Sequence, residues 1–438
     1  ELMPINEFEN NDSWGYNPSY YFAPDKYYGT KDDLKRLIEA CHARGMVVLL
    51  DIVWNHNYGQ SPLVQMYFDK RNNKVTPESP WFNVDSPNNV FSFGYDFNHE
   101  SQYTKDLMDR GNLYWLQEYK FDGYRFDFTK GMTNTPGDGG AYDAARIAIL
   151  KRMNDVIKQA DPNAYVILEH FADNQEETEL SNAGMMIWGN LNFSYRQVAE
   201  GRGGDLSGGL ASARGWADKN LVAYMESHDE QRLMYSAKEF GAASGDYDTK
   251  DTKIALERVK LASAFYYTVP GPKMIWQFGE LGYDIDINFN GRVGRKPLPW
   301  GPDGLGYYED ADRQRLYKAK AAIINLVNNH TEVFENGNFA WTPNGDLRKI
   351  NISHADMNVT IIGNFSLSNG TITPDFQHTG TWYDFFAGSA YEVASTTEGT
   401  SLAPGEFRIF TDKPVNFPEP GLVTVFEPTV TVEPTSFK

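Results

Sequence analysis

The sequence holds a single cysteine, Cys41, so no internal disulfide can staple the chain. Cys41 follows Leu34, Leu37 and Ile38 at helical spacing and reads as a small buried hydrophobe. No apolar run approaches the roughly 20 residues that a membrane-spanning helix needs. No secretory leader is visible either; Glu1-Leu-Met-Pro reads as the middle of a domain. Positive charge is scarce: 40 Lys and Arg stand against 59 Asp and Glu, a net −19. Such a field repels phosphate backbones and anionic headgroups, so neither nucleic acid nor a membrane surface is expected as a partner. A neutral ligand meets no such penalty. Histidines number eight and none forms a His-x-His pair, the donor pattern a metal-dependent barrel hydrolase wants.

What is present is a regular alternation. Lys31 to Arg44 carries apolar residues at helical spacing, and Gly45 follows as a stop. The run Met46 to Trp54 is continuously apolar but for Asp51, as in a strand buried on both faces. The stretches 101–119 and 141–159 read as helices, each leading into a strand, Phe121–Phe128 and Tyr165–His170. Met185–Trp188, Leu221–Glu226 and Lys273–Gln277 read as three more strands. Repeated strand–helix units predict an α/β chain with a parallel sheet, open or closed. Polar residues gather just after the strands: Asn55 and His56, Asp127, Glu169 and His170, His228 and Asp229. In a closed (β/α)₈ barrel those strand ends form the face where active sites are built.

Residues 57–100 break the pattern, rich in Asn, Ser, Pro and aromatics, and are expected to form a small inserted subdomain after the third strand. Helical spacing stops after about residue 335. The expected division is a catalytic barrel over 1–340, an antiparallel β-sandwich over 341–415, and a linker or tail over 416–438 that is rich in Pro, Val, Thr and Glu.

Side chains two apart on a strand share a face, so Arg125 and Asp127 should lie side by side. A neighbouring guanidinium keeps a carboxylate ionised, and an ionised carboxylate at a strand end is what a glycosidic nucleophile needs. Glu169 closes an apolar strand, where partial desolvation favours the protonated form that a general acid requires. Two such carboxyls about 5–5.5 Å apart would serve a retaining glycoside hydrolase. A structural ion pair and a solvated strand-end glutamate are the plain alternatives. The strand-end histidines 56, 170 and 228 suggest a polar pocket suited to hydroxyls.

Taken in order, these segments resemble the signature segments of the α-amylase family of glycoside hydrolases. Asp51-Ile-Val-Trp-Asn-His56 is similar to its first, Asp122-Gly-Tyr-Arg-Phe-Asp127 to its second, Val166-Ile-Leu-Glu169 to its third, and Met225-Glu-Ser-His-Asp229 to its fourth. Gly94-Tyr-Asp-Phe-Asn98 resembles the fifth, and Trp14-Gly-Tyr16 the aromatic that stacks on the sugar at the cleavage point. The resemblance implies a (β/α)₈ TIM barrel with an inserted domain and a C-terminal antiparallel β domain. It implies Asp127 as nucleophile, Glu169 as acid/base, and Asp229 as the residue that binds and distorts the sugar. Tyr16, His56, Arg125, Lys130 and His228 would bind and position substrate.

Two departures stand out. Calcium-dependent relatives carry Lys-His where this chain has Lys130-Gly131, so no metal ligand set is assigned. Calcium stays open, with Asn55 as its candidate side-chain ligand and no cofactor required. The family's first strand and helix are also missing ahead of Leu2-Met-Pro-Ile5. An unclosed barrel would expose two strand edges, which leads to the expectation that further residues precede residue 1; an intact mass tests it.

The expected activity is retaining hydrolysis of α-1,4-glucosidic bonds in starch, glycogen or maltooligosaccharides. The alternatives are a glucan-branching or other α-glucan transglycosylase, and a non-catalytic sugar-binding relative. A monomer is expected, and an extracellular or cell-surface location, since a polymer too large to enter a cell would be met outside it.

Overall fold

The computed structural model describes residues 1–217 and 219–424. It falls into two compact units.

The first unit, 1–188 with 214–222, is built on parallel strands. Leu49–Ile52, Gly123–Phe126 and Tyr165–Leu168 run side by side, with Leu49 opposite Gly123 and Gly123 opposite Tyr165. The strand that begins at Met186 continues the series, Ile187 lying opposite Leu168. Helices Lys31–His42, Gln102–Tyr114, Ala144–Ala160 and Asn174–Asn182 connect them. Three of these four starts carry a side-chain cap. Thr30 and Asp33 form a reciprocal capping box, and the Asp143 and Asp173 carboxylates take first-turn amides. Leu50, Ile52, Tyr124, Phe126 and Leu168 are buried on one face and Asp51, Arg125 and Ile167 on the other, so the strands are covered on both. Gly123 is required by close approach: at φ +149 its absent Cβ would collide with the Tyr165 backbone of the neighbouring strand.

The apolar run 46–54 is shorter as a strand than its composition suggests. Only Leu49–Ile52 joins the ladder, and Met46 and Val47 are about half exposed, at 49% and 51%. The preceding helix explains this. Gly45 turns left-handed at φ 71, and the Met46 amide returns to the Cys41 carbonyl, so the helix stop consumes the start of the run. Cys41 is half-buried rather than buried. The insert 57–100 holds a short helix, Pro62–Gln65, and two minimal strand pairs. Phe68–Asp69 pairs with Lys74–Val75, and Tyr95–Asp96 pairs with His56–Asn57.

The second unit covers 189–213 and runs on from 223. Ala223 and Tyr224 pair in parallel with Lys273 and Met274. Around them lie the helices Asn192–Glu200, Leu233–Phe240, Thr252–Tyr267 and Ala311–Asn329. Helices end at Asn336, and an antiparallel six-stranded sheet follows over 338–411. Val359–Asn364 is central in it, flanked by Leu347–Ser353 and Phe407–Thr411. A second pair, Gly370–Ile372 with Thr400–Leu402, closes a core of Ile362, Ile372, Phe376, Trp382 and Phe410. The sheet packs on the Thr252–Tyr267 helix. Gly363 has no room for a Cβ against Leu261 and Phe265, and Phe265 meets Phe365 edge-on at 5.0 Å. Of the expected tail 416–438, positions 425–438 lie outside the described residues. No helix among the described residues is long and apolar enough to cross a membrane.

Candidate active site

Arg125 is the hub of the first unit's site. It is fully buried on its strand and faces three carboxylates. Nη1 donates to Asp51 Oδ1 and Asp127 Oδ1, each at 2.9 Å, and Nη2 lies 3.2 Å from Glu169 Oε1. Its guanidinium lies over the Trp188 ring, 4.1 Å from the centroid, a cation–π contact. Strand register explains the convergence: Asp51 lies opposite Arg125, and Arg125 opposite Ile167, two residues before Glu169. Asp127 and Glu169, from adjacent strand ends, thus meet on one side chain.

The turn after Asp127 fixes Glu169 from the other side. Phe128 adopts the left-handed region at φ 45, which aims its amide at Glu169 Oε2, 2.8 Å away. Thr129 donates its amide to the Glu169 carbonyl. Both catalytic candidates keep a little exposure, about an eighth of each side chain, so they are held but not sealed.

Burial pushes the Asp127 carboxyl well above the usual carboxylate range, and the adjacent Glu169 carboxylate adds to this; Arg125 opposes both. This corrects the expectation that Arg125 alone keeps Asp127 ionised. One guanidinium divided among three carboxylates cannot compensate each of them. One ionised and one protonated carboxyl is the starting state of retaining glycoside hydrolysis.

Of the other first-unit candidates, Tyr16 joins the Arg125 hub directly and His56 is joined to Tyr16. The Tyr16 hydroxyl donates to Asp51 Oδ2 at 2.6 Å, and its ring stands 5.7 Å from the Arg125 guanidinium. His56 is buried, and burial pushes its imidazole down to about 4, so it is neutral. Its Nε2 donates to the Tyr16 carbonyl, and its Nδ1 accepts from Asn55 Nδ2. Lys130 lies over the rings of Phe91 and Phe128.

In the second unit, His228 is buried and stands 3.2 Å from Asp229 Oδ2. Arg292 Nη2 donates to the Asp229 backbone carbonyl at 2.6 Å and reaches Oδ1 at 3.2 Å. Burial raises the Asp229 carboxyl, but His228 and Arg292 outweigh it and hold it down at about 2.

Sequence reasoning left several of these partners out. Asp51 was signalled, as the one charge inside an apolar run. Phe91 and Phe93, the insert aromatics edge-on to Phe128, had no spacing to mark them. Arg292 acts across 63 residues from an irregular loop, beyond any local pattern.

Of the donors expected for calcium, Asn55 and Gly131 are close neighbours. Asn55 Oδ1 is buried and accepts no hydrogen bond. A Cβ on Gly131 would collide with that oxygen and with the Phe128 ring, so glycine lets these groups close onto each other. The Gly131 carbonyl accepts the Thr133 amide at 2.8 Å. Calcium takes six to eight oxygens. Among the described residues no cluster of three or more His, Cys, Asp or Glu could hold a metal.

Residues 2–94 match the family model described as alpha amylase, catalytic domain. A 1,4-alpha-glucan branching enzyme from Nitrosospira multiformis is 26% identical over 413 residues, covering 85% of this chain and 50% of that protein. One from Aliivibrio fischeri is 32% identical over 181 residues, covering 39% of this chain and 24% of that protein. The chain spans about half the length of the curated relatives it matches. Among solved structures, an Anoxybacillus alpha-amylase superposes with TM-score 0.69 at 16% identity, covering 94% of this chain and 86% of that one. A cyclomaltodextrinase gives 0.71 at 20% identity, covering 94% and 67%. These likenesses show the fold, a TIM barrel with a C-terminal antiparallel β domain. The resemblance to the alpha-amylase family is therefore shown, in sequence over residues 2–94 and in fold along most of the chain.

Proposed function

We propose that this chain cleaves α-1,4-glucosidic bonds in starch, glycogen or maltooligosaccharides with retention of configuration. The observation that carries the reading is the meeting of Asp127 and Glu169, from adjacent strand ends, on the single guanidinium of Arg125. Asp127 attacks the anomeric carbon and forms a glycosyl ester. Glu169 gives its proton to the leaving oxygen, then takes one from the incoming hydroxyl. Arg125 neutralises charge on the pair, and Asp229, held ionised, binds ring hydroxyls and favours a distorted ring. Tyr16 and the neutral His56 wall the sugar, Lys130 contacts the leaving-group side, and His228 orients Asp229. No metal is required, and the protein acts as a monomer outside the cell or at its surface, where such polymers are met.

The second reading is α-glucan transfer, favoured by the branching enzymes among the relatives. Both share the chemistry up to the ester; the acceptor is then a sugar hydroxyl instead of water. Incubation with amylose separates them. New reducing ends support hydrolysis; altered iodine staining without new reducing ends supports branching. Asp127→Asn should lower either activity by about 10⁴-fold or more while sugar binding survives. Full activity in that variant removes Asp127 from the mechanism, and sugar binding without turnover in the unaltered protein makes it a binding relative.

A further inference from the structure

The turn that holds Glu169, residues 128–131, is anchored by side chains of the protein itself. Beneath it lies a cluster that plays no part in the chemistry above. Arg146, on the Ala144–Ala160 helix, is buried at 1% exposure, and its guanidinium is fully engaged. Nη1 donates to the carbonyls of Lys130 at 2.6 Å and Gly139 at 2.9 Å, and Nη2 donates to that of Ala141 at 3.0 Å. Nε and Nη2 grip the Glu176 carboxylate, each at 2.7 Å. His170 Nε2 donates to Glu176 Oε1 at 2.9 Å, and His170 Nδ1 lies 2.9 Å from Thr129 Oγ1. Thr129 Oγ1 is in turn 2.8 Å from the Glu169 carbonyl. Gly139 completes the fit: at φ +78, a Cβ there would press into the Lys130 carbonyl.

A cation at the centre of three inward-turned carbonyls and a carboxylate does what a bound divalent ion does for a loop. It neutralises converging oxygens and fixes backbone that has no other ladder. We propose that Arg146 is a built-in substitute for a structural metal. It is a positioning residue that holds the 128–131 turn, and through the Phe128 amide and Thr129 it holds Glu169. Its role in catalysis rests on the function proposed above; its role in holding the turn does not.

Arg146→Lys tests this, because it keeps the charge but offers one nitrogen where the guanidinium offers three. In native-state hydrogen exchange, the amides of Phe128, Thr129, Gly131 and Met132 should exchange at least about 10-fold faster than in the unaltered protein. The unaltered protein should unfold within about 1 °C of the same midpoint in EGTA and in millimolar calcium. On a maltooligosaccharide, kcat of the variant should fall about 10-fold with KM within about twofold, as expected when a general acid is misplaced and binding is kept. Unchanged exchange at those amides, or a calcium shift of several degrees, overturns the proposal. Should Arg146→Lys fail to fold, Thr129→Val removes the hydroxyl link between His170 and Glu169. The same amides must then loosen, and their constancy is equally fatal. Absence of any α-glucan activity in the unaltered protein would defeat the proposed function, while the exchange result still decides the role of Arg146.

Discussion

At the scale of single residues, Asp127 in the first unit and Asp229 in the second are shifted in opposite directions, and stability against pH should show it. Asp127 has a folded pKa above its unfolded value near 3.9. Between those two values the native state binds more protons than the unfolded chain, so Asp127 costs stability as pH rises through that window. Removing the charge should relieve the strain. Asp127→Asn is expected to melt at or near the parent's temperature at pH 4 and above it at pH 7, by about 2–4 °C per kcal/mol relieved. Asp229 is the reverse. Its folded value of about 2 lies below the unfolded one, so its contribution is present above pH 4 and fades as pH falls toward 2. Asp229→Asn should lower the melting temperature slightly at pH 7, by under about 1 kcal/mol because the carboxylate is partly exposed and screened, with no difference at pH 2. A melting series on both variants checks the pair of signs. Equal and parallel curves would mean the Arg125 hub does not divide its charge among three acids. This division could not be read from the sequence. The spacing of Arg125 and Asp127 shows one neighbour, but Asp51 and Glu169 arrive from other strands, and they turn a simple ion pair into a proton-holding cluster.

At the scale of elements, most of what positions the site was legible. Helices were marked by apolar spacing over 31–44 and by the stretch 141–159, and strand interiors by their apolar runs. Boundaries were less so, because an apolar run cannot say which of its residues a helix stop will claim; Met46 and Val47 went to the Schellman turn. Gly123 is where local sequence and strand pairing coincide. In Asp122-Gly-Tyr-Arg-Phe-Asp127 the glycine looks like a loop residue, yet it opens the strand because the Tyr165 backbone lies where a Cβ would be. Gly123→Ala should therefore displace that strand against its neighbour and cost about 2–4 kcal/mol, combining a strained φ with a backbone clash. Because Arg125 and Asp127 stand two and four residues along the same strand, activity should fall more steeply than stability. Denaturant melts paired with kcat/KM on a maltooligosaccharide check this, and a variant as active and stable as the parent would refute the assigned register.

At the scale of the whole molecule, the strand–helix alternation and the later switch to short antiparallel strands were visible from patterning alone. What the pattern could not tell is whether the C-terminal sheet is a detachable module. Within the second unit, two buried guanidiniums answer that. Arg258, on the Thr252–Tyr267 helix, donates to the carbonyls of Val198 and Phe365, tying two helices to the sheet. Arg348, on the sheet, donates to the Gly204 and Pro343 carbonyls. Loss of the sheet would take the Phe365 carbonyl from Arg258 and the Arg348 donor from the Gly204 carbonyl, and each buried polar group left unsatisfied costs about 1–3 kcal/mol. Leu261 and Phe265 would at the same time lose the strand that covers them, exposing an apolar patch on a long helix. A chain ended at Gly337 should thus be insoluble or unfolded, and the sheet should melt together with its helices in one calorimetric transition. An independently folding starch-binding module predicts the contrary: a soluble, active shortened chain and two separated transitions. The sheet's contribution is then to hold the Thr252–Tyr267 helix in place, and any affinity for glucan would come in addition to that.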